Sequence, residues 1–152
     1  METSALAIDV QHLSKHYGAV HAVDDISFSV QQGEIFGLLG HNGAGKTTTI
    51  RMMTGRTKPT SGTVRIAGFD AVSQLDLVKP LINLVFEDQN LYERMTGLDN
   101  LKFFARLYDA PKSRVEELLD RVGLDPEARK RKVKTYSSGM KQRLLIARAL
   151  IN

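Results

Sequence analysis

The chain has 152 residues and a mass of 16.9 kDa; 42% of it is hydrophobic and 25% charged, the composition of a globular domain with one sizeable core. The absence of cysteine excludes disulfide frameworks, thiolate metal sites and cysteine nucleophiles, and no apolar run approaches the roughly 18 residues that a membrane span needs. The net charge of +4 is uneven, since residues 1–110 carry 10 basic and 12 acidic side chains and residues 111–152 carry 11 and 5.

Met1-Glu2-Thr3-Ser4 has neither a basic patch nor an apolar h-region, so the sequence is expected to be soluble and cytoplasmic. In the first third, Ile26, Phe28 and Val30 alternate with Ser27 and Ser29, which predicts a half-buried strand ended by the Gln32-Gly33 turn. Glu34 to Leu39 is a short apolar run, the pattern of a strand buried on both faces. A glycine-rich loop follows, then a helix from Thr47 to Thr54 ended by Gly55, and a turn over Lys58 to Gly62. Val64-Arg65-Ile66 and Leu81 to Phe86 read as further strands.

The remainder reads as helical. Thr96 with Asp99 forms a capping-box signature, opening a helix with Leu98, Leu101, Ala105 and Tyr108 at core spacing and stopped by Pro111. Ser113 with Glu116 repeats the signature for a helix carrying Val115, Leu118, Leu119 and Val122, with Gly123 beyond its end. Arg129-Lys130-Arg131-Lys132 reads as a solvated stretch between two helices, and no aromatic side chain interleaves with it, so no nucleic-acid partner is expected. A last helix begins near Ser137 and carries Leu144, Leu145, Ala147 and Leu150. Strands, a phosphate-type loop and outer helices predict an α/β chain of three layers or nearly so.

The chemistry concentrates in Gly40-His41-Asn42-Gly43-Ala44-Gly45-Lys46-Thr47-Thr48, which fits the phosphate-binding pattern G-x-x-x-x-G-K-[ST]. Glycines let the backbone curl until several N–H groups face one anion, and the loop runs into a helix N-terminus whose orphan donors and dipole also favour negative charge. Lys46 is then expected to reach the β- and γ-phosphate oxygens, and the Thr47 hydroxyl to join the shell of a Mg²⁺ ion. A G-x-G-x-x-G dinucleotide fingerprint is not present.

Over essentially its whole length the chain resembles the ATP-binding domain of ABC transporters. Lys15-His16-Tyr17-Gly18 is similar to the family's adenine-stacking loop, which implies that the Tyr17 ring lies on the adenine face. Lys58 to Thr63 followed by Gly68 matches a structural hairpin of the family, and Asp88 to Gly97 with Asn100-Leu101 resembles the region after its Q-loop. Tyr136-Ser137-Ser138-Gly139-Met140-Lys141-Gln142-Arg143 resembles the signature motif, so Ser137, Ser138, Gly139 and Met140 are implied to meet the ATP of an opposite subunit. The Tyr-Ser-x-Gly-Met form, with Asn90-Leu91-Tyr92-Glu93-Arg94-Met95-Thr96-Gly97, is most similar to the drug-exporter branch.

The resemblance implies a P-loop NTPase of the ABC ATPase type, with an N-terminal antiparallel β part, a helical part and an incomplete core sheet. The whole of 1–152 is expected to be the N-terminal portion of a nucleotide-binding domain, with a helical subdomain at about 88–137. It implies ATP and Mg²⁺ as cofactors, transmembrane permease partners and a second nucleotide-binding domain in a homodimer, with the chain peripheral on the inner face of the cell membrane.

Three features depart from the family pattern. Glu87 stands at the Q-loop glutamine position, where a carboxylate could ligate the metal but adds negative charge beside the γ-phosphate; Gln89 is two residues out of register. Ser138 replaces a signature glycine, a conservative change if its φ is helical. The sequence ends at Asn152 before any Walker B strand, and none of His12, His16, His21 and His41 follows the signature, so no general base or switch histidine is assigned. Two other readings are therefore carried: a non-catalytic nucleotide-binding remnant, and a soluble relative acting on ribosomes or nucleic acid. A guanine-specific enzyme is disfavoured by the absence of Asn-Lys-x-Asp.

Overall fold

In the computed structural model, residues 6–85 and 90–151 are described. The chain divides into two compact units, residues 1–82 and 83–152.

The first unit is built on two long strands, β1 (Leu6–Tyr17) and β2 (Val20–Gln31), joined by a tight turn at Gly18 with φ 59°. They pair antiparallel, and β3 (Ser61–Ile66) and β4 (Phe69–Asp70) extend the sheet to the order β2-β1-β3-β4. Register shifts between Val10 and Leu13 bend β1, with His12 at φ 50° and Asp25 at φ 44°. The His12 ring and the Asp25 carboxylate meet across this irregularity at 2.8 Å. Helix α1 (Lys46–Met53) supplies Met52 to a core of Val10, Leu13, Val23, Val64, Ile66, Ala71 and Val78. Short α2 (Leu75–Val78) and a 3₁₀ turn at Lys79–Leu81 complete the unit.

Two strand predictions fail here. Glu34 to Leu39 has no ladder partner among the described residues, and Ile35 and Leu39 are 99% and 91% exposed. An apolar run becomes a buried strand only when other strands pair with it, and here its first residue merely closes a turn, Glu34 N–H donating to Gln31 O. The Glu34 carboxylate accepts from Gln31 N–H at 2.7 Å, and Phe36 stacks on Phe28 with ring centroids 5.0 Å apart. The second failure is Leu81 to Phe86: Leu81 ends the 3₁₀ turn, residues 82–85 have no regular structure, and Phe86 lies outside the described residues. The described sheet is consequently wholly antiparallel, and the three-layer arrangement is not seen among the described residues.

The second unit packs α3 (Gly97–Leu107), α4 (Lys112–Arg121), short α5 (Pro126–Arg129) and α6 (Ser138–Ala149) around Leu101, Leu118, Leu119, Leu124, Leu144 and Leu145. Thr96 caps α3 as its sequence requires: Asp99 N–H donates to Thr96 Oγ1 at 3.0 Å, and that hydroxyl donates to Asp99 Oδ2 at 2.7 Å. Thr96→Ala is expected to cost about 1 kcal/mol of unfolding free energy, read as a lower urea midpoint at unchanged slope.

Three helical expectations are corrected. Helix α4 begins at Lys112 with Pro111 in the cap position, because the fixed φ of proline (−63°) already sets the entry, so Ser113 lies inside the first turn. Tyr108 is 51% exposed: α3 stops one residue earlier and its apolar stripe ends with it. Arg129 is not solvated. Its guanidinium is buried, donating through Nε to Leu124 O at 2.7 Å and pairing with Glu116 and Asp120 on α4. Burial works against that charge, but Asp120 and Glu116 outweigh it and raise the Arg129 pKa.

Candidate functional site

The glycine-rich loop occupies 40–45 and feeds directly into α1. Gly43 (φ 86°) and Gly45 (φ 83°) take left-handed conformations that other residues adopt only at a cost of about 1–2 kcal/mol. Gly45 carries a second requirement: a Cβ there would lie 2.2 Å from the carbonyl oxygen of Ala22 on β2. The close approach seats the loop against the hairpin that ends in Tyr17. Thr49 locks the seam from the helix side, with its buried hydroxyl donating to Gly45 O at 3.0 Å.

Lys46 turns back over the loop, and its ammonium donates to Gly40 O and His41 O, both at 2.7 Å. The loop is thus a closed curl with its cation held at the mouth. No side chain caps α1 and no acidic residue stands in its first turn, so among the described residues no N-cap side chain satisfies the orphan N–H groups. A cavity of about 410 Å³ opens beside the loop, lined by Val23, Asp24, Leu38, His41, Ala44 and Lys46 among others. An uncapped helix start, a left-handed glycine curl and one lysine together fit a phosphate chain. Thr47 is exposed on the first turn of α1, available to a metal shell, and Thr48 beside it is half-buried.

Tyr17, at the end of β1, is 51% exposed, and Lys15 Nζ lies 4.9 Å from its ring centroid. Lys15 is itself tied to Lys58 O at 2.8 Å, so the cation is a fixed neighbour of the ring, while half the side chain stays available for stacking.

In the second unit, Ser137 caps α6, its hydroxyl accepting from Met140 N–H at 3.3 Å. Ser138 is the first helical residue, so no glycine is needed there, and Ser137, Ser138 and Gly139 are exposed while Met140 is half-buried. Tyr136 anchors this helix start: its buried hydroxyl donates to Ala128 O at 2.7 Å and packs against Gly97, where a Cβ would lie 2.1 Å from Oη. Burial pushes the Tyr136 phenol pKa upward. Glu87 and Gln89 lie outside the described residues.

The family model described as ABC transporter matches residues 23–152, which include the loop, α1 and the whole of α6. The chain belongs to the ABC transporter family. It is 43% identical over 138 residues to the ABC transporter ATP-binding protein NatA of Bacillus subtilis, a match covering 88% of this chain and 56% of that protein. The bacitracin transport ATP-binding protein BcrA of Bacillus licheniformis is 42% identical over 146 residues (95% of this chain, 47% of that protein). The daunorubicin/doxorubicin resistance ATP-binding protein DrrA of Streptomyces peucetius is 40% identical over 149 residues (95% and 45%). Such names agree with the drug-exporter-like branch read from the signature. The chain spans about half the length of these curated relatives.

Among solved structures, cbiO1 of Clostridium perfringens, described as part of the transporter complex cbiONQ, superposes with a TM-score of 0.86 at 26% identity, covering 97% of this chain and 62% of that one. The dimeric post-hydrolysis state of the ATP-binding cassette MJ0796 bound to ADP and Pi superposes with a TM-score of 0.75 at 26% identity, covering 95% and 69%. The fold is therefore that of the ABC-type P-loop ATPases. Among the described residues of this ABC chain, no helix is long and apolar enough to cross a membrane.

Sequence reasoning missed three supports of the candidate site. The Ala22 carbonyl that fixes Gly45 leaves no side-chain signal. Thr49 reads as one more residue of a threonine run, although it is 2% exposed. Lys15 and Tyr17, two apart on β1, share a strand face, a signal the strand period of two carries once residues 6–17 are read as a strand.

Proposed function

We propose that this chain binds Mg·ATP through residues 40–48 and serves as the ATP-binding part of an ABC transporter, coupling nucleotide binding and hydrolysis to export by a partner membrane protein. The observation that carries the reading is the closed loop with Lys46 at its mouth and an uncapped α1 behind it. In this reading the whole of 1–152 is the N-terminal portion of the nucleotide-binding domain, and 88–137 belongs to its helical subdomain.

Each residue has a part that follows from its place. Gly43 and Gly45 turn backbone donors toward the phosphates, while Ala44 N–H and Lys46 exchange their present carbonyl partners, His41 O for the amide and Gly40 O and His41 O for the ammonium, for phosphate oxygens. Gly40, His41 and Asn42 form the outer arm of the same curl, and Thr48 continues its helical wall. The Thr47 hydroxyl would help hold a Mg²⁺ ion, whose chemistry when bound would be to neutralise phosphate charge as a Lewis acid. Ser137, Ser138, Gly139 and Met140 present the α6 N-terminus to the nucleotide of a second nucleotide-binding domain. Transmembrane permease subunits keep the protein at the inner face of the membrane. Glu87, which lies outside the described residues, would add a further contact to that metal.

The adenine contact tests the reading apart from the phosphates. Tyr17→Ala is expected to weaken Mg·ATP binding by about 1–3 kcal/mol, while Tyr17→Phe costs little, because stacking uses the ring and not the hydroxyl. Titration with a fluorescent ATP analogue measures both. Equal loss in the two variants would remove Tyr17 from the base contact.

A further inference from the structure

The end of the β1–β2 hairpin gathers three side chains to which the nucleotide reading gives no role, although His21 and Asp24 also line the cavity beside the glycine-rich loop. His16 on β1 and His21 on β2 are direct partners across the antiparallel ladder, and their rings stack with centroids 4.0 Å apart and planes 13° from parallel. Asp24, three residues along β2, brings its Oδ1 to 3.9 Å from His16 Nε2. One nitrogen from each ring and one carboxylate oxygen all fall within 4.8 Å of one another. The His16 Nε2 atom is itself buried without a hydrogen-bond partner, alone in this among the buried side-chain nitrogens and oxygens of the described residues.

A buried polar atom without a partner is costly, and a cation held by His16 Nε2 would satisfy it. We infer that His16, His21 and Asp24 form a binding site for a divalent transition metal of the zinc type. Two neutral imidazoles and one carboxylate are the donor set that zinc, nickel and copper prefer; magnesium demands octahedral oxygen ligands and is poorly served by it. Zinc with nitrogen and oxygen ligands at about 2.0–2.2 Å draws its ligand atoms to roughly 3.3 Å apart. Half-buried His16 is the fixed ligand, and exposed His21 and Asp24 close on the metal, His21 by turning out of the stack so that its ring plane contains the ion. Three protein ligands leave one tetrahedral position for water. The metal clamps the two strands one residue before Tyr17, so its occupancy bears on the order of that loop, although the inference does not depend on nucleotide binding.

Zinc chloride titrated into the 152-residue chain against a chromophoric chelator is the test. One zinc per chain is expected, undisplaced by millimolar magnesium, with affinity at least tenfold weaker in His21→Ala and in Asp24→Ala. His12→Ala, which removes a histidine outside the cluster, is expected to leave zinc binding unchanged. Both ligand changes are on exposed side chains, and far-ultraviolet circular dichroism checks that the fold is kept. Cobalt gives a second readout, with a four-coordinate visible spectrum in the parent chain that is lost in both variants. Failure of the parent chain to bind zinc overturns the inference. So does equal affinity in His21→Ala and the parent, or a loss in His12→Ala as large as in His21→Ala.

Discussion

Leu118→Ala is expected to lower the stability of the helical unit by about 3 kcal/mol, within the 2–5 kcal/mol range of buried leucine truncations. Leu118 is fully buried between α3, α4 and α6, in a core that also contains Leu101, Leu119 and Leu144. Truncation removes the transfer energy of the lost methyl groups and leaves a cavity that three packed helices cannot collapse to fill. A unit of about 70 residues has only some 3.5–10 kcal/mol of net stability, so this single change removes a large fraction of it. Leu107→Ala provides the contrast, because Leu107 is 64% exposed and its loss should cost under about 0.5 kcal/mol. Urea unfolding followed by circular dichroism measures both. Equal midpoints for the two variants would show that the core is not centred on Leu118.

Where local chemistry decides the outcome, the sequence was a good guide. Thr96 and Ser137 announce helix starts because a hydroxyl one position ahead of a helix accepts a backbone N–H, and both side chains do so. The loop from Gly40 to Lys46 was legible for the same reason, since its spacing encodes a backbone shape. Glu34 to Leu39 was not legible, because an apolar run records what a segment is able to bury and not whether another strand pairs with it. Arg129 shows the converse. Within a basic run it reads as solvent-facing, and only the packing of α5 on α4 gives it two carboxylates and a carbonyl. The His16, His21 and Asp24 cluster was hidden because its geometry arises from strand register, and the bend in β1 shifts that register away from a simple count.

Lys46→Ala is expected to have the largest effect on ligand binding. Lys46 is the one lysine or arginine in the loop from Gly40 to Thr48, and its ammonium already sits at the mouth, 2.7 Å from both the Gly40 and His41 carbonyls. Charge-assisted hydrogen bonds contribute about 1.5–3 kcal/mol each, so losing two phosphate contacts amounts to a loss of at least about 100-fold. The loop loses its own bridge in the same change, which adds to the cost of ordering it around a ligand. The most direct measurement compares Mg·ATP, Mg·ADP and AMP binding by the parent chain and by Lys46→Ala. The parent is expected to bind both polyphosphates far more tightly than AMP, and Lys46→Ala to lose this preference along with most of its affinity. Equal Mg·ATP affinity in the two proteins, or a parent chain that binds AMP as tightly as Mg·ATP, would contradict that expectation.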